Sequence, residues 1–346
     1  MRKVTIIGLF CEGREVSDGQ SIKTRIVTEE IEKAFGKDQV ARVDTYGWKK
    51  NPLKLFANCI AAVRKSSNVM FLTDEGGIKI FPWLLSGVNL FYKRSLHYVV
   101  IGGWLAQYVE KHRCLAACLK KLDNIFAETI AMQNGLEALD FENVSLLPNF
   151  KNLTPVREEQ LMITCAEPYP FCTFSRVMQE KGIEDAVNAI QAVNAQFGRP
   201  VCTLDIYGQV DPLEQAWFEK ISAQFPPEIR YCGVVPYDKS VDTLKGYFAL
   251  LFPTSYLKEG IPGTIIDAYA AGLPVIASKW GGFDDIIDDG STGIGYPWLE
   301  NEKLAGILAE IVREPQRILD MKKNCLKKAE GYLPQNVMSV LLDKLS

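Results

Sequence analysis

Histidine is nearly missing, with two residues in 346. The nine cysteines contain no CxxC pair, so no zinc ligand set is spelled out, and an odd count without paired spacing points to reduced thiols in a cytoplasmic protein. No metal is expected. A formal charge of -3 excludes a nucleic-acid binder held by net charge, and 47% apolar with 23% charged residues excludes disorder. Long apolar runs are missing too. The most apolar region, residues 78–109, is broken by Lys79, Pro82, Asn89, Lys93 and Arg94, so no transmembrane helix is expected. The start, MRKVTIIGLFCEGR, meets Glu12 and Arg14 without a small-residue cleavage site and reads as a first strand rather than a signal peptide. The stretch after it, GLFCEGREVSDG, holds no GxGxxG, and Gln20 stands where a phosphate loop needs Lys; dinucleotide and P-loop chemistry are both excluded.

What is present is alternation. Short β-type runs, VTIIGLF, VMFLT at 69, HYVVIGG at 97, LMITC at 161, CTLDIYG at 202, YFALLFP at 247 and PVIAS at 274, are separated by amphipathic segments such as SIKTRIVTEEIEKAF and GIEDAVNAIQAVNAQF. This β-α-β pattern predicts α/β domains with parallel sheets covered by helices. The length favours about two domains. The polar stretch PNFKNLTPVREEQ at 148–160 is the candidate linker, giving domains over 1–155 and 156–330. A closing amphipathic helix, 331–346, is expected to pack back on the first domain. Residues 1–150 carry 20 Lys+Arg against 16 Asp+Glu, a formal +4 that leaves −7 for the remainder.

In open α/β sheets ligands sit beyond the carboxyl ends of strands, where helix N-termini present N–H groups. The segment EGIPGTIIDAYAAGLPVIAS fits that plan: Gly260 and Gly263 permit close backbone approach, and Pro262 suits the first helical turn, leaving the Gly263 and Thr264 N–H groups for an anion. Spacing alone favours reading Glu259 as a solvated loop acid and Asp267 as a first-turn acid. In FSRVMQEKGIEDAVNAI, Arg176 and Lys181 lie between a strand and a helix, the arrangement of a diphosphate clamp, although surface salt bridging serves such a pair equally.

Taken in order, SRVMQEKGIED, LDIYGQ, YCGVV, EGIPGTIIDAYAAGLPVIAS and WGGFDDIIDDGSTG resemble the retaining glycosyltransferase family 4, most strongly over 155–300. The resemblance implies the GT-B architecture, two Rossmann-like parallel-sheet domains facing across a cleft. It implies that Arg176 and Lys181 grip the diphosphate of a UDP- or GDP-sugar, that Glu259 holds donor-sugar hydroxyls, and that backbone at Gly260, Ile261, Gly263 and Thr264 supports sugar and phosphate. Asp267 takes the place of the acid that grips the ribose, one methylene shorter than the usual Glu. Gly208 and Val235 would line phosphate and base, and Gly19 in SDGQSIKT would approach the phosphate from the first domain. Many relatives carry a His where this chain reads VVIGGW, with Gly102 and Gly103; His97 and His112 receive no role.

The implied reaction is metal-independent sugar transfer with retention, to a glycan or lipid-linked glycan, in cell-surface polysaccharide synthesis. Alternatives are an epimerase or phosphorylase of the same architecture and a non-catalytic nucleotide-sugar-binding subunit. GWKKNPLKLFANCIAAVRK at 47–65 and IFPWLLSGVNLFYKR at 80–94 read either as a peripheral surface for an anionic membrane or as core-facing helices with solvated cations.

Overall fold

The computed structural model describes residues 1–11, 13 and 19–346. The chain divides into two compact units, one formed by Met1–Asn152, Lys258–Ile261 and Leu333–Ser346, the other by Leu153–Leu257 and Pro262–Tyr332.

The first unit is built on β1 (Arg2–Gly8), β2 (Val40–Asp44), β3 (Ser66–Thr73), β4 (Ser95–Val100), β5 (Asn124–Ala127) and β6 (Val144–Leu146). They form one parallel sheet in the order β2-β1-β3-β4-β5-β6. The central strands read as unbroken apolar runs because helices cover both their faces. Val69, Met70 and Phe71 of β3 are fully buried, and Phe71 stacks on Tyr98 of β4 with ring centroids 4.7 Å apart. Helix Pro52–Lys65 starts where Asn51 Oδ1 accepts from the Lys54 amide at 3.2 Å and Pro52 sets the first turn; it buries Leu55, Cys59, Ala62 and Val63. The C-terminal segment forms two short helices, Pro334–Val337 and Ser339–Leu345, instead of one. Its end docks on β3, where Asn68 Nδ2 donates to the Leu345 carbonyl at 3.3 Å.

The second unit holds β7 (Tyr169–Phe174), β8 (Cys202–Tyr207), β9 (Ile229–Gly233), β10 (Ala249–Phe252), β11 (Val275–Ser278) and β12 (Gly293–Tyr296), all parallel in the order β12-β11-β10-β7-β8-β9. The chain runs outward from β7 to β9, then returns to β10 on the other side of β7. That reversal makes the carboxyl ends of β7 and β10 the topological switch point. LMITC, expected as a strand, is not one: Leu161 is buried against Gly272, but Ile163 is 63% exposed and the sheet begins only at Tyr169. Helix Ile183–Phe197 buries Ile183, Ala186, Val187, Ile190 and Val193 and packs on helix Lys303–Arg313. Gly198, in the left-handed conformation, ends it.

Among the described residues no helix is long and apolar enough to cross a membrane. All nine cysteines are unbridged.

Candidate active site

Of the loops that leave the carboxyl edge of the second sheet, those after β7, β8 and β10 lock together through backbone contacts. The loop after β7 carries Arg176 and Lys181. Its Val177 amide donates to the Gln209 carbonyl at 2.9 Å, and the Asp211 amide returns a bond to the Val177 carbonyl at 3.0 Å. Gly208, after β8, sits at φ 136, a value that suits glycine alone, and donates to the Gly233 carbonyl at 2.8 Å. Val235, half-buried, follows Gly233 by two residues. Arg176 and the Gly208 turn are thus neighbours, with the Arg176 guanidinium 3.6 Å from the Asp211 carboxylate and half its side chain exposed.

On its other flank the same loop meets the one after β10. Ser255 N donates to the Glu180 carbonyl at 2.8 Å. A Cβ on Gly182 would lie 2.0 Å from the Pro253 carbonyl oxygen, so only glycine lets the two loops touch. Lys181 Nζ stands over two rings, 4.9 Å from the Tyr256 centroid and 5.5 Å from that of Phe252, which hold an ammonium without neutralising it.

Helix Gly263–Ala270 begins beside them. Pro262 is its cap residue, one position before the first turn, and no side chain caps the helix. The Thr264 hydroxyl donates to the Phe174 carbonyl at the end of β7, tying the helix start to the strand that launches Arg176. The amides of the first turn point along the helix axis, and the dipole favours an anion there. Asp267, three residues before the helix ends at Ala270, is buried and accepts from Ser240 Oγ at 2.9 Å, linking this helix to helix Ser240–Leu244.

The residues Lys258–Ile261 count with the first unit. The Gly103 amide donates to the Lys258 carbonyl at 3.0 Å, and Asn149 Nδ2 donates to the Ile261 carbonyl at 2.9 Å. This backbone fills the space after β4: a Cβ on Gly103 would meet the Glu259 carbonyl oxygen at 2.3 Å, and one on Gly102 the Lys258 carbonyl oxygen at 2.8 Å. A His has no room where VVIGGW runs. Glu259 is half-buried and Gly260 buried. Gly19 opens helix Gly19–Phe35, while Ser17 and Asp18 of SDGQSIKT, like Glu12 and Arg14, lie outside the described residues.

His97 is wholly buried and structural. Asn124 Nδ2 donates to its Nδ1 at 3.2 Å, its Nε2–H donates to Asn68 Oδ1 at 2.9 Å, and burial lowers its pKa to about 4. Sequence reading also passed over a polar cluster on β8 and β9 and the residue Tyr247 before β10. Arg230 grips Asp205 through two bonds of 2.9 and 2.8 Å, and the Tyr247 hydroxyl donates to Asp205 at 2.7 Å and meets the Tyr207 hydroxyl at 2.7 Å. Burial pushes the Tyr247 phenol far up, so it stays a donor. Among the described residues no three His, Cys, Asp or Glu side chains gather as metal ligands.

The chain is similar to known proteins in fold and, over part of its length, in sequence. Over its full length the fold matches Anabaena HepE, solved in complex with UDP, with a TM-score of 0.78 at 14% identity, covering 100% of this chain and 99% of that one. The chain is 22% identical over 225 residues to the amylovoran biosynthesis glycosyltransferase AmsK of Erwinia amylovora, covering 63% of this chain and 53% of AmsK. It is 24% identical over 189 residues to the GDP-mannose-dependent monoacylated alpha-(1-6)-phosphatidylinositol monomannoside mannosyltransferase of Corynebacterium glutamicum, covering 51% of this chain and 48% of that protein. The chain therefore spans about half the length of the curated relatives it matches. Residues 170–314, from β7 through helix Lys303–Arg313, match the family model described as glycosyl transferases group 1. The two six-stranded sheets have the GT-B fold, and the switch-point loops lie within the residues that match the glycosyl transferases group 1 model.

Proposed function

We propose that the protein transfers a sugar from a UDP- or GDP-sugar to a glycan or lipid-linked glycan acceptor, with retention of anomeric configuration and without a metal. One observation supports the reading: the loop after β7 that bears Arg176 and Lys181 and the uncapped start of helix Gly263–Ala270 both lie at the carboxyl ends of β7 and β10. Breaking the sugar–phosphate bond leaves negative charge on the diphosphate and positive charge on the ring. Arg176, Lys181 and the Gly263 and Thr264 amides stabilise the leaving diphosphate, the largest lever such a site has. Gly208 and Val235 line phosphate and base, and Gly19 lends its amide to the phosphate.

In this reading the Glu259 carboxylate takes donor-sugar hydroxyls, with the Gly260 and Ile261 backbone beside it. The acceptor hydroxyl attacks from the face the diphosphate leaves, and a phosphate oxygen takes its proton. Asp267 serves the ribose; its bond to Ser240 holds the short carboxylate in place. HepE is described with UDP and the Corynebacterium relative as GDP-mannose-dependent, which supports either base. AmsK is described as acting in amylovoran biosynthesis, which supports a role in polysaccharide synthesis.

The acceptor side is proposed to rest peripherally on the cytoplasmic face of an anionic membrane. Helix Pro52–Lys65 and helix Phe81–Asn89 pack side by side. Each buries one face, yet Leu53, Phe56, Trp83, Leu90 and Phe91 stand exposed among Lys49, Lys50, Lys54 and Lys93. Exposed apolar anchors close in sequence to exposed cations suit such a surface.

Incubation with UDP- and GDP-sugars tests the function. Released nucleoside diphosphate that depends on a glycan or lipid-linked acceptor supports transfer; conversion of the sugar with no acceptor points to an epimerase; nucleotide binding without turnover points to a binding subunit.

A further inference from the structure

Lys23 and Glu128 form an ion pair of 3.0 Å inside the first unit, their side chains 3% and 5% exposed. Burying two charges is costly unless the remaining lone pairs and protons are also satisfied, and here both carboxylate oxygens and two of the three ammonium protons are. Lys23 Nζ also donates to the Val100 carbonyl at 3.2 Å. Glu128 Oε2 accepts from Lys23 and from the Gly102 amide at 3.0 Å, while Oε1 accepts from the Ile261 amide at 3.0 Å. The sequence puts Glu128 there by local means: β5 ends at Ala127 and Thr129 caps the next helix, accepting from the Met132 amide. Gly260 fits only because it lacks a side chain, since a Cβ would lie 2.9 Å from Glu128 Oε1. Nothing in nucleotide chemistry requires this pair. What it holds is the peptide after Glu259 and, one turn beyond Gly19, the helix that Gly19 opens.

We propose that the Lys23–Glu128 pair is the positioning element for the donor sugar: it fixes the 258–261 backbone, and with it the Glu259 carboxylate, to the helix opened by Gly19. This rests on the donor reading above. Glu128→Gln is the sharpest probe, because an amide offers one acceptor oxygen where the carboxylate offers two. Either the Ile261 amide or the Lys23 and Gly102 donors then face an NH2 group.

Donor turnover and binding of UDP and GDP alone are measured on the wild type, Glu128→Gln and Gly103→Ala. The second variant keeps the ion pair and presses a methyl group on the Glu259 carbonyl, so it carries the test if Glu128→Gln fails to fold. Both are expected to lose about 10²-fold in kcat through misplacement of the loop, with nucleoside diphosphate affinity unchanged. A folded variant with wild-type turnover overturns the inference, as does a fall in nucleotide affinity in step with kcat, the mark of a merely structural role. A wild type that neither binds a nucleoside diphosphate nor turns over a donor sinks the donor reading first, before any substitution is made, and the inference with it.

Discussion

Gly208 stands so close to Ser175 that a Cβ at its position would lie 1.8 Å from the Ser175 carbonyl oxygen. At φ 136 the backbone is also one that a side chain rarely adopts. Gly208→Ala is therefore expected to destabilise the second unit by about 1–3 kcal/mol through strain alone and to move the 175–177 segment that bears Arg176. Urea unfolding reads the first effect and UDP or GDP titration the second. An alanine variant with unchanged midpoint and affinity would mean that the two loops are not locked.

Lys181 lies on a half-exposed loop, held over two rings. Removing its charge leaves the fold intact and withdraws one stabiliser of the leaving diphosphate. Lys181→Ala is expected to lower donor turnover on the order of 10²–10³-fold while the unfolding midpoint barely moves. Near-normal turnover would remove Lys181 from the clamp.

His97 gives a pH signature. Its folded pKa, about 4, lies below the unfolded value, so between roughly pH 6.5 and 4 the unfolded chain binds the proton that the folded chain refuses. Stability from this group is complete above the unfolded pKa and declines as pH falls. From pH 7 to 5 the loss is about 2 kcal/mol. His97→Gln is expected to flatten that part of the urea-derived profile; an equally steep slope in the variant would assign it to other groups.

Phe56 and Phe91 are two exposed aromatic anchors of the proposed membrane-facing surface. Replacing both with Ser is expected to reduce the fraction floating with phosphatidylglycerol vesicles at low salt by about tenfold or more, since each exposed ring inserted is worth on the order of 1–2 kcal/mol. Wild type that does not bind such vesicles at all contradicts the membrane proposal.

The fold was legible in several of the central strands. VMFLT, HYVVIGG, CTLDIYG and PVIAS became β3, β4, β8 and β11 because buried parallel strands are apolar on both faces. Strands β2, β5, β6, β7, β9 and β12 escaped notice: VARVD, VSL and IRYCG are half-exposed edges, NIFA and GIGY are only four residues long, and YPFCTF is broken by Pro170 and Thr173, so no continuous apolar run marks them. LMITC misled for the opposite reason, an apolar run that docks Leu161 singly and pairs with no neighbour. Motif order pointed to Arg176, Lys181 and the Gly263 turn, which sit on loops locked to one another. Glu128 stayed invisible, because a lone acid in IFAETIAM shows its value only when the Ile261 amide, 133 residues away, is seen to reach it.

The most direct measurement is thermal unfolding with UDP or GDP, on the wild type and on Arg176→Ala with Lys181→Ala. At a ligand concentration 100 times the dissociation constant the wild type should gain about 2.7 kcal/mol, and the double variant should gain almost nothing at the same concentration. Equal stabilisation of both proteins, or of neither, would contradict a diphosphate grip at the switch point.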